Sequence, residues 1–183
     1  MASAPGPRRR TAPAAAVDAA PEQPGRRSSA PQSDDELLDG LQHDTFQYFR
    51  HEVNPANGLI ADKACRERPE LQEGWPASIA AVGVGLAAYP VAVERGLMAR
   101  AEAVERTLAA LRFLWSSAQG PEPDATGYRG FYYHFLDMAT GRRAGRCELS
   151  TVDSAFRLAG ALAAGQCFDR DDAAEHGLRT LAD

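Results

Sequence analysis

The chain has 183 residues, of which 44% are hydrophobic and 25% charged, and its formal net charge is −5; this is the composition of an ordinary globular protein. The acidic balance lacks the basic face that a general nucleic-acid binder needs, and no apolar run reaches the roughly 18 residues of a membrane span. Cys65, Cys147 and Cys167 are widely spaced and form no CxxC pair, which argues against a disulfide framework and against a zinc site, so no metal or cofactor is expected.

Residues 1–32 stand apart. They consist almost wholly of Ala, Pro, Arg, Ser, Gly and Gln, without a Leu, Ile or aromatic residue, and cannot bury enough apolar surface to offset the entropy of ordering. Arg8, Arg9 and Arg10 suggest a twin-arginine signal, but the AAAVDAA that follows is too short and too weakly apolar for a signal core. A disordered tail, or a start placed upstream of the true one, is the expectation.

Order is expected from Ser33, where Ser33-Asp34-Asp35-Glu36 fits a capping box. Leu37, Leu38, Leu41, Thr45, Tyr48, Phe49 and Val53 continue at helical spacing up to Asn54-Pro55. A turn-rich loop follows to Pro76. The segment SIAAVGVGLAAY is apolar nearly all round and reads as a buried helix with Pro76 in its first turn and an interruption at Pro90. A third helix is expected over about 99–118, with Val104, Leu108, Leu111 and Trp115 on its buried face. A fourth runs over about 151–166, with Val152, Ala155, Phe156, Ala159 and Leu162 inward, and a fifth begins near Asp171. The fold class is therefore all-α, with one short β-hairpin expected at 130–144, turning at Ala139-Thr140-Gly141.

Between the third and fourth helices lies an unusually long and aromatic connection, YRGFYYHFLDMATGRRAGRCELSTVDSAF, residues 128–156. Links between helices are ordinarily about 2–8 residues long. This one holds the raw material of a sugar cleft: aromatic faces that stack on pyranose C–H surfaces, and polar edges for hydroxyls. Asp137, Glu148 and Asp153 are candidates for the carboxyl roles of glycoside cleavage. Other readings apply residue by residue. Asp153 completes a capping box with Ser150, Phe131 and Phe135 fall on the core side of a strand, and Arg142 or Arg143 is either solvated or paired with Asp137 or Glu148.

Five segments, TFQYF (45–49), NPANGLIAD (54–62), ASIAAVGVGLAAYPVAVERG (77–96), GFYYHFLDMATGRR (130–143) and ELSTVDSAFRLAGAL (148–162), together resemble the N-terminal part of the bacterial glycoamylase-like (glucoamylase-type) family, which includes endo-β-1,2-glucanases. The resemblance implies an (α/α)6 barrel whose twelve helices alternate between an outer and an inner ring, with the cleft at the end where loops join them. It implies a glycoside hydrolase acting on a β-linked glucan, with β-1,2-glucan as the leading substrate and a glucan oligo- or polysaccharide as the partner. Such a polymer suggests the periplasm or the exterior. Glu148 and Asp153 would be catalytic, and Asp62, Tyr132, Tyr133, His134, Asp137 and Arg142 would contact substrate. Twelve helices with their loops need well over 200 residues on ordinary lengths, so the roughly 150 residues from Ser33 are expected to hold about five helices, and to form a part of the barrel that is inactive alone. The competing readings are a non-catalytic helical module that binds glycan or protein, and an α-glucan-acting enzyme of the glucoamylase type.

Overall fold

The computed structural model describes residues 33–64 and 74–183; the tail expected over 1–32, and Cys65, lie outside the described residues. Five helices carry the fold: α1 (Asp34–His51), α2 (Ile79–Glu94), α3 (Arg100–Ser116), α4 (Thr151–Cys167) and α5 (Ala173–Ala182). Their caps follow from local chemistry. The Ser33, Ser78, Ser150 and Asp172 side chains each accept the backbone N–H three residues on, which satisfies a donor the first helical turn leaves open. Helix α2 therefore starts at Ile79, and not at Pro76.

Helices α2 and α4 pack against each other most intimately. The backbone of Gly83 lies against those of Phe156, Arg157 and Gly160. Their N-caps, Ser78 and Ser150, flank the same strand segment: Ser78 pairs with Phe135, and Ser150 with Tyr132. Starting side by side and touching again one to two turns later, the two helices run parallel. They form an inner pair, with α3 set against α2 and α5, α5 also against α4, and α1 against α2. This is an all-α arrangement of the kind expected for part of an (α/α)6 barrel.

Three expectations fail. Pro90 does not interrupt α2; it sits buried inside a helix that runs on to Glu94. Trp115 faces outward, 75% exposed, while Leu114 takes the core position. The buried side of α4 is made of Asp153, Ser154, Gly160, Ala161, Ala164 and Gly165, and the bulky Val152, Phe156 and Leu162 face outward. The physical reason is the close helix approach: backbones this near admit only small side chains between them, so the apolar residues assigned inward by size are displaced to the other face.

The long connection folds into two small sheets. β1 (Ala77–Ser78) pairs antiparallel with β4 (Phe135–Leu136), and β3 (Phe131–Tyr133) lies between β2 (Gly127–Tyr128) and β5 (Leu149–Ser150). The expected turn at 137–141 is present: the Asp137 N–H donates to the Arg142 carbonyl, and Leu136 bridges Arg143. A second, tighter hairpin precedes it, turning at Arg129 (φ 55°) and Gly130 (φ 86°). Asn54 and Asn57 lock this connection to the first loop by donating to the Met138 carbonyl at 2.8 and 3.0 Å.

Candidate functional site

His134 occupies the switch point between the two sheets. The strand residues before it belong to β3 and those after it to β4. Its N–H donates to the Glu148 carbonyl, and its carbonyl accepts from Ile79, the first residue of α2. The backbone of His134 is thus pinned to the start of α2 and to the residue that leads into β5.

Its ring joins two of the carboxylates singled out in the sequence. Nδ1 lies 2.8 Å from Glu148 Oε1 and Nε2 lies 3.5 Å from Asp153 Oδ2. The Phe135 ring stacks on the imidazole, 3.9 Å between centroids and 17° off parallel. Glu148 stands at the exposed rim, with 67% of its side chain exposed, whereas that of Asp153 is only 12% exposed. Asp153 lies in the first turn of α4 with its N–H donated to the Ser150 hydroxyl, so the capping geometry and the place beside His134 coexist. The helix N-terminus favours its negative charge. The hydrogen bond from His134, followed by the charges of His134 and Arg143, holds the Glu148 carboxyl below the usual glutamate range.

The flanking aromatics divide by strand alternation. Tyr132 is 4% exposed; its hydroxyl donates to the Leu114 carbonyl at 2.9 Å, and its N–H to the Ser154 hydroxyl at 2.8 Å. It is a buried anchor rather than a surface on which sugar could stack. Phe131, assigned to the core from the sequence, is 44% exposed. Tyr133 is half-buried under the Arg143 guanidinium, 4.1 Å from its ring centre, and Arg143 also donates to the Cys147 carbonyl.

The remaining sequence candidates lie apart from this cluster. Asp137 accepts from the Ala139 N–H and from the N–H and hydroxyl of Thr140. These bonds, the Thr140 hydroxyl first, hold its carboxyl below the usual range; it closes the turn. Arg142 pairs with Asp124 at 2.6 Å, not with Asp137 or Glu148. Asp62 sits at the same end of α2 as His134, its N–H donated to the Pro76 carbonyl at 2.9 Å. Burial, with Asp62 and then Glu52 adding charge, pushes the nearby Tyr48 phenol up to about 12, and that phenol donates to the Ala61 carbonyl.

Among the described residues, three buried side-chain polar atoms lack a hydrogen-bond partner: Arg143 Nε, Asp153 Oδ2 and Arg157 Nε. All three border the Tyr132–His134 segment, because Arg157 lies over the Tyr132 ring at 5.1 Å. Buried polar groups are rarely left unpaired in folded proteins, so these three atoms keep hydrogen-bonding capacity to spare beside this strand. Sequence reasoning missed both Arg143 and Arg157 as members; the Arg157 spacing, four residues after Asp153 on one helix face, was the available signal. No group of three or more His, Cys, Asp or Glu among the described residues is arranged to hold a metal ion, and no helix among them is long and apolar enough to cross a membrane.

Comparison with known proteins places this geometry in context. No family model matches the chain. An exo β-1,2-glucooligosaccharide sophorohydrolase acting at the non-reducing end, from Parabacteroides distasonis, is 27% identical over 158 residues, covering 84% of this chain and 20% of the relative. A β-1,2-glucanase crystal structure from the same species superposes with a TM-score of 0.68 at 27% identity, over 84% of this chain and 21% of its own. A glucoamylase-like protein from Bacteroides uniformis superposes with a TM-score of 0.67 at 31% identity, over 82% of this chain and 34% of its own. The chain thus spans a fifth to a third of the length of these proteins. Over most of its own length it is similar to them in sequence and in fold, as the glycoamylase-like motifs imply.

Proposed function

We propose that this chain forms one wall of the cleft of a glycoside hydrolase that cleaves a β-linked glucan, β-1,2-glucan first among them. The observation that carries the reading is the cluster at the N-terminal end of the parallel pair α2 and α4. There His134, Glu148 and Asp153 meet beside three buried polar atoms without partners. The similarity to a sophorohydrolase and a β-1,2-glucanase supports the β-1,2 linkage.

The chemistry needs two carboxyl groups on opposite sides of the scissile bond, about 5–5.5 Å apart for retention and about 6.5–9.5 Å for inversion. Glu148 and Asp153 touch the two nitrogens of one ring and so stand on the same wall. They serve one of the two roles between them. A carboxylate held ionised by an imidazole suits the base side, so Glu148 would activate water or attack, with Asp153 behind it. The opposing acid would come from another part of the complete protein. Tyr133, His134 and the Arg143 guanidinium would meet sugar faces and hydroxyls; Tyr132 would fix the strand that presents them.

The test is a titration of the 183-residue chain with β-1,2-linked glucooligosaccharides and, separately, with maltooligosaccharides, followed by side-chain resonances. Shifts at Tyr133, His134 and Glu148 with the β-1,2 series alone are the expected result. Equal shifts with both series, or none with either, would sink the assignment. In a complete protein that contains this chain, Glu148→Gln or Asp153→Asn lowers turnover by orders of magnitude with little change in melting temperature.

A further inference from the structure

The imidazole of His134 lies between the two carboxylates of this site. Glu148 belongs to the loop that leads into β5, and its side chain is 67% exposed, with His134 as the side chain that hydrogen-bonds its carboxylate. Asp153 is set on α4, rigid and nearly buried. His134 stands between them, its carbonyl held by the Ile79 N–H at the start of α2, its N–H bonded to the Glu148 carbonyl, and its ring stacked on Phe135. We propose that His134 is a positioning residue: its ring spans from Asp153 to Glu148 and aims the Glu148 carboxylate from a rigid frame, so that loss of a donor at Nδ1 lets that carboxylate swing free. The proposal deepens the hydrolase reading, since it concerns the group assigned there to the base side.

The chemistry is that of hydrogen-bond donors. A carboxylate only accepts, so Nδ1–H donates to Glu148 across 2.8 Å. The contact of Nε2 with Asp153 is longer, 3.5 Å, and both nitrogens donate together only in the doubly protonated ring. The charged groups that face the ring are Glu148 from the loop before β5 and Asp153 from α4. Arg143 acts on Glu148 from the neighbouring hairpin, and α2 contributes its Ile79 N–H.

The experiment is a pH titration of the Glu148 side-chain carboxyl carbon in the 183-residue chain, observed by NMR in wild type, His134→Asn and His134→Phe. In wild type the carboxyl titrates below the ordinary glutamate range. Asn keeps a donor at the place of Nδ1 and retains part of that depression; Phe keeps the ring's bulk without a donor and raises Glu148 towards the ordinary range, with Arg143 still lowering it. A third variant, Glu148→Gln, changes a rim residue with no packing role, and moves the His134 Nδ1 resonance while leaving the Tyr132 signals in place. An unchanged Glu148 titration in His134→Phe, or an unmoved Nδ1 resonance in Glu148→Gln, overturns the proposal. The carboxyl titration needs no sugar, so it judges the positioning even where the oligosaccharide titration fails. Added β-1,2-glucooligosaccharide then separates the two ideas: binding weakened in His134→Phe and partly restored in His134→Asn supports positioning for that substrate, and equal binding by the two variants counts against it.

Discussion

Glu175 shows how one residue can be structural where its chemistry looks functional. It is 2% exposed, yet its carboxylate receives the Arg100 guanidinium at 2.7 and 2.8 Å and the Arg170 N–H at 2.7 Å. That bidentate pair, first among the causes, holds the carboxyl below its usual range. Breaking a buried pair leaves one charge without compensation and costs about 3–5 kcal/mol, so Arg100→Ala destabilises the fold by that order, read from urea unfolding at neutral pH. The sign of the pH dependence follows. The folded value lies below the unfolded one, so the stabilisation is complete above the unfolded glutamate value and is lost as pH falls through the folded value. Glu175→Gln removes that part of the acid lability; an unfolding profile below pH 5 that stays parallel to wild type contradicts it. By contrast His134, set between two carboxylates, sits 31% exposed at a rim. Exposure together with the buried polar atoms left unpaired beside it separates this cluster from the Arg100–Glu175 pair.

At the scale of elements, the inner pair α2 and α4 depends on two glycines. A Cβ on Gly83 would overlap the Phe156 carbonyl, and one on Gly160 would overlap the Gly83 carbonyl. Neither backbone can yield without parting the helices, so Gly83→Ala or Gly160→Ala costs about 2–3 kcal/mol through overpacking. Gly40 lies on α1 with nothing near its would-be Cβ, and Gly40→Ala stabilises by about 0.5–1 kcal/mol through helix propensity. Thermal melts of the three variants check both directions. The same packing explains what the sequence revealed. The helices themselves were legible because capping serines and 3- and 4-residue spacings are local signals. The inward face of α4 was not, because it is set by helices distant in the chain, with Gly160 against Gly83 of α2 and Gly165 against Ala182 of α5. Size read alone put Phe156 on the wrong side. Strand phase failed likewise at Tyr132: its inward aim is set by register with Ser150, and a one-residue shift exchanges the two faces of a strand. Glu148, Asp153 and His134 could each be singled out because one connection with the first turn of α4 carries all three, whereas their contact through the imidazole could not, and Asp137, grouped with the carboxylates, closes a turn instead.

At the scale of the whole molecule, the inner pair is covered on one side and open on the other. The outward face of α4 shows Val152, Phe156, Leu158 and Leu162 at 63, 52, 49 and 45% exposure, and α1 shows Leu38 and Leu41 at 61 and 55%. Between α1 and α2 runs a groove of about 530 Å³ lined by Leu38, Leu41, Phe46, Phe49, Val84 and Val91. Soluble monomers seldom expose apolar surface in such continuous patches, because hiding it from water is favourable by about 25 cal/mol per Å². The 183-residue chain by itself therefore binds a hydrophobic dye, and its apparent mass in solution rises with concentration through the micromolar range. Its melt is broad, because α1 packs only lightly on α2 and can loosen separately from the rest of the helices. Replacing Leu38, Leu41, Phe156 and Leu162 by Gln lowers dye binding and holds the chain monomeric, the form suited to the titrations above. It leaves the melting midpoint nearly unchanged, since those side chains stabilise little in the folded chain. A wild-type chain that stays monomeric at micromolar concentration, excludes the dye and melts in one sharp transition contradicts this account, and so does a quadruple variant that fails to fold.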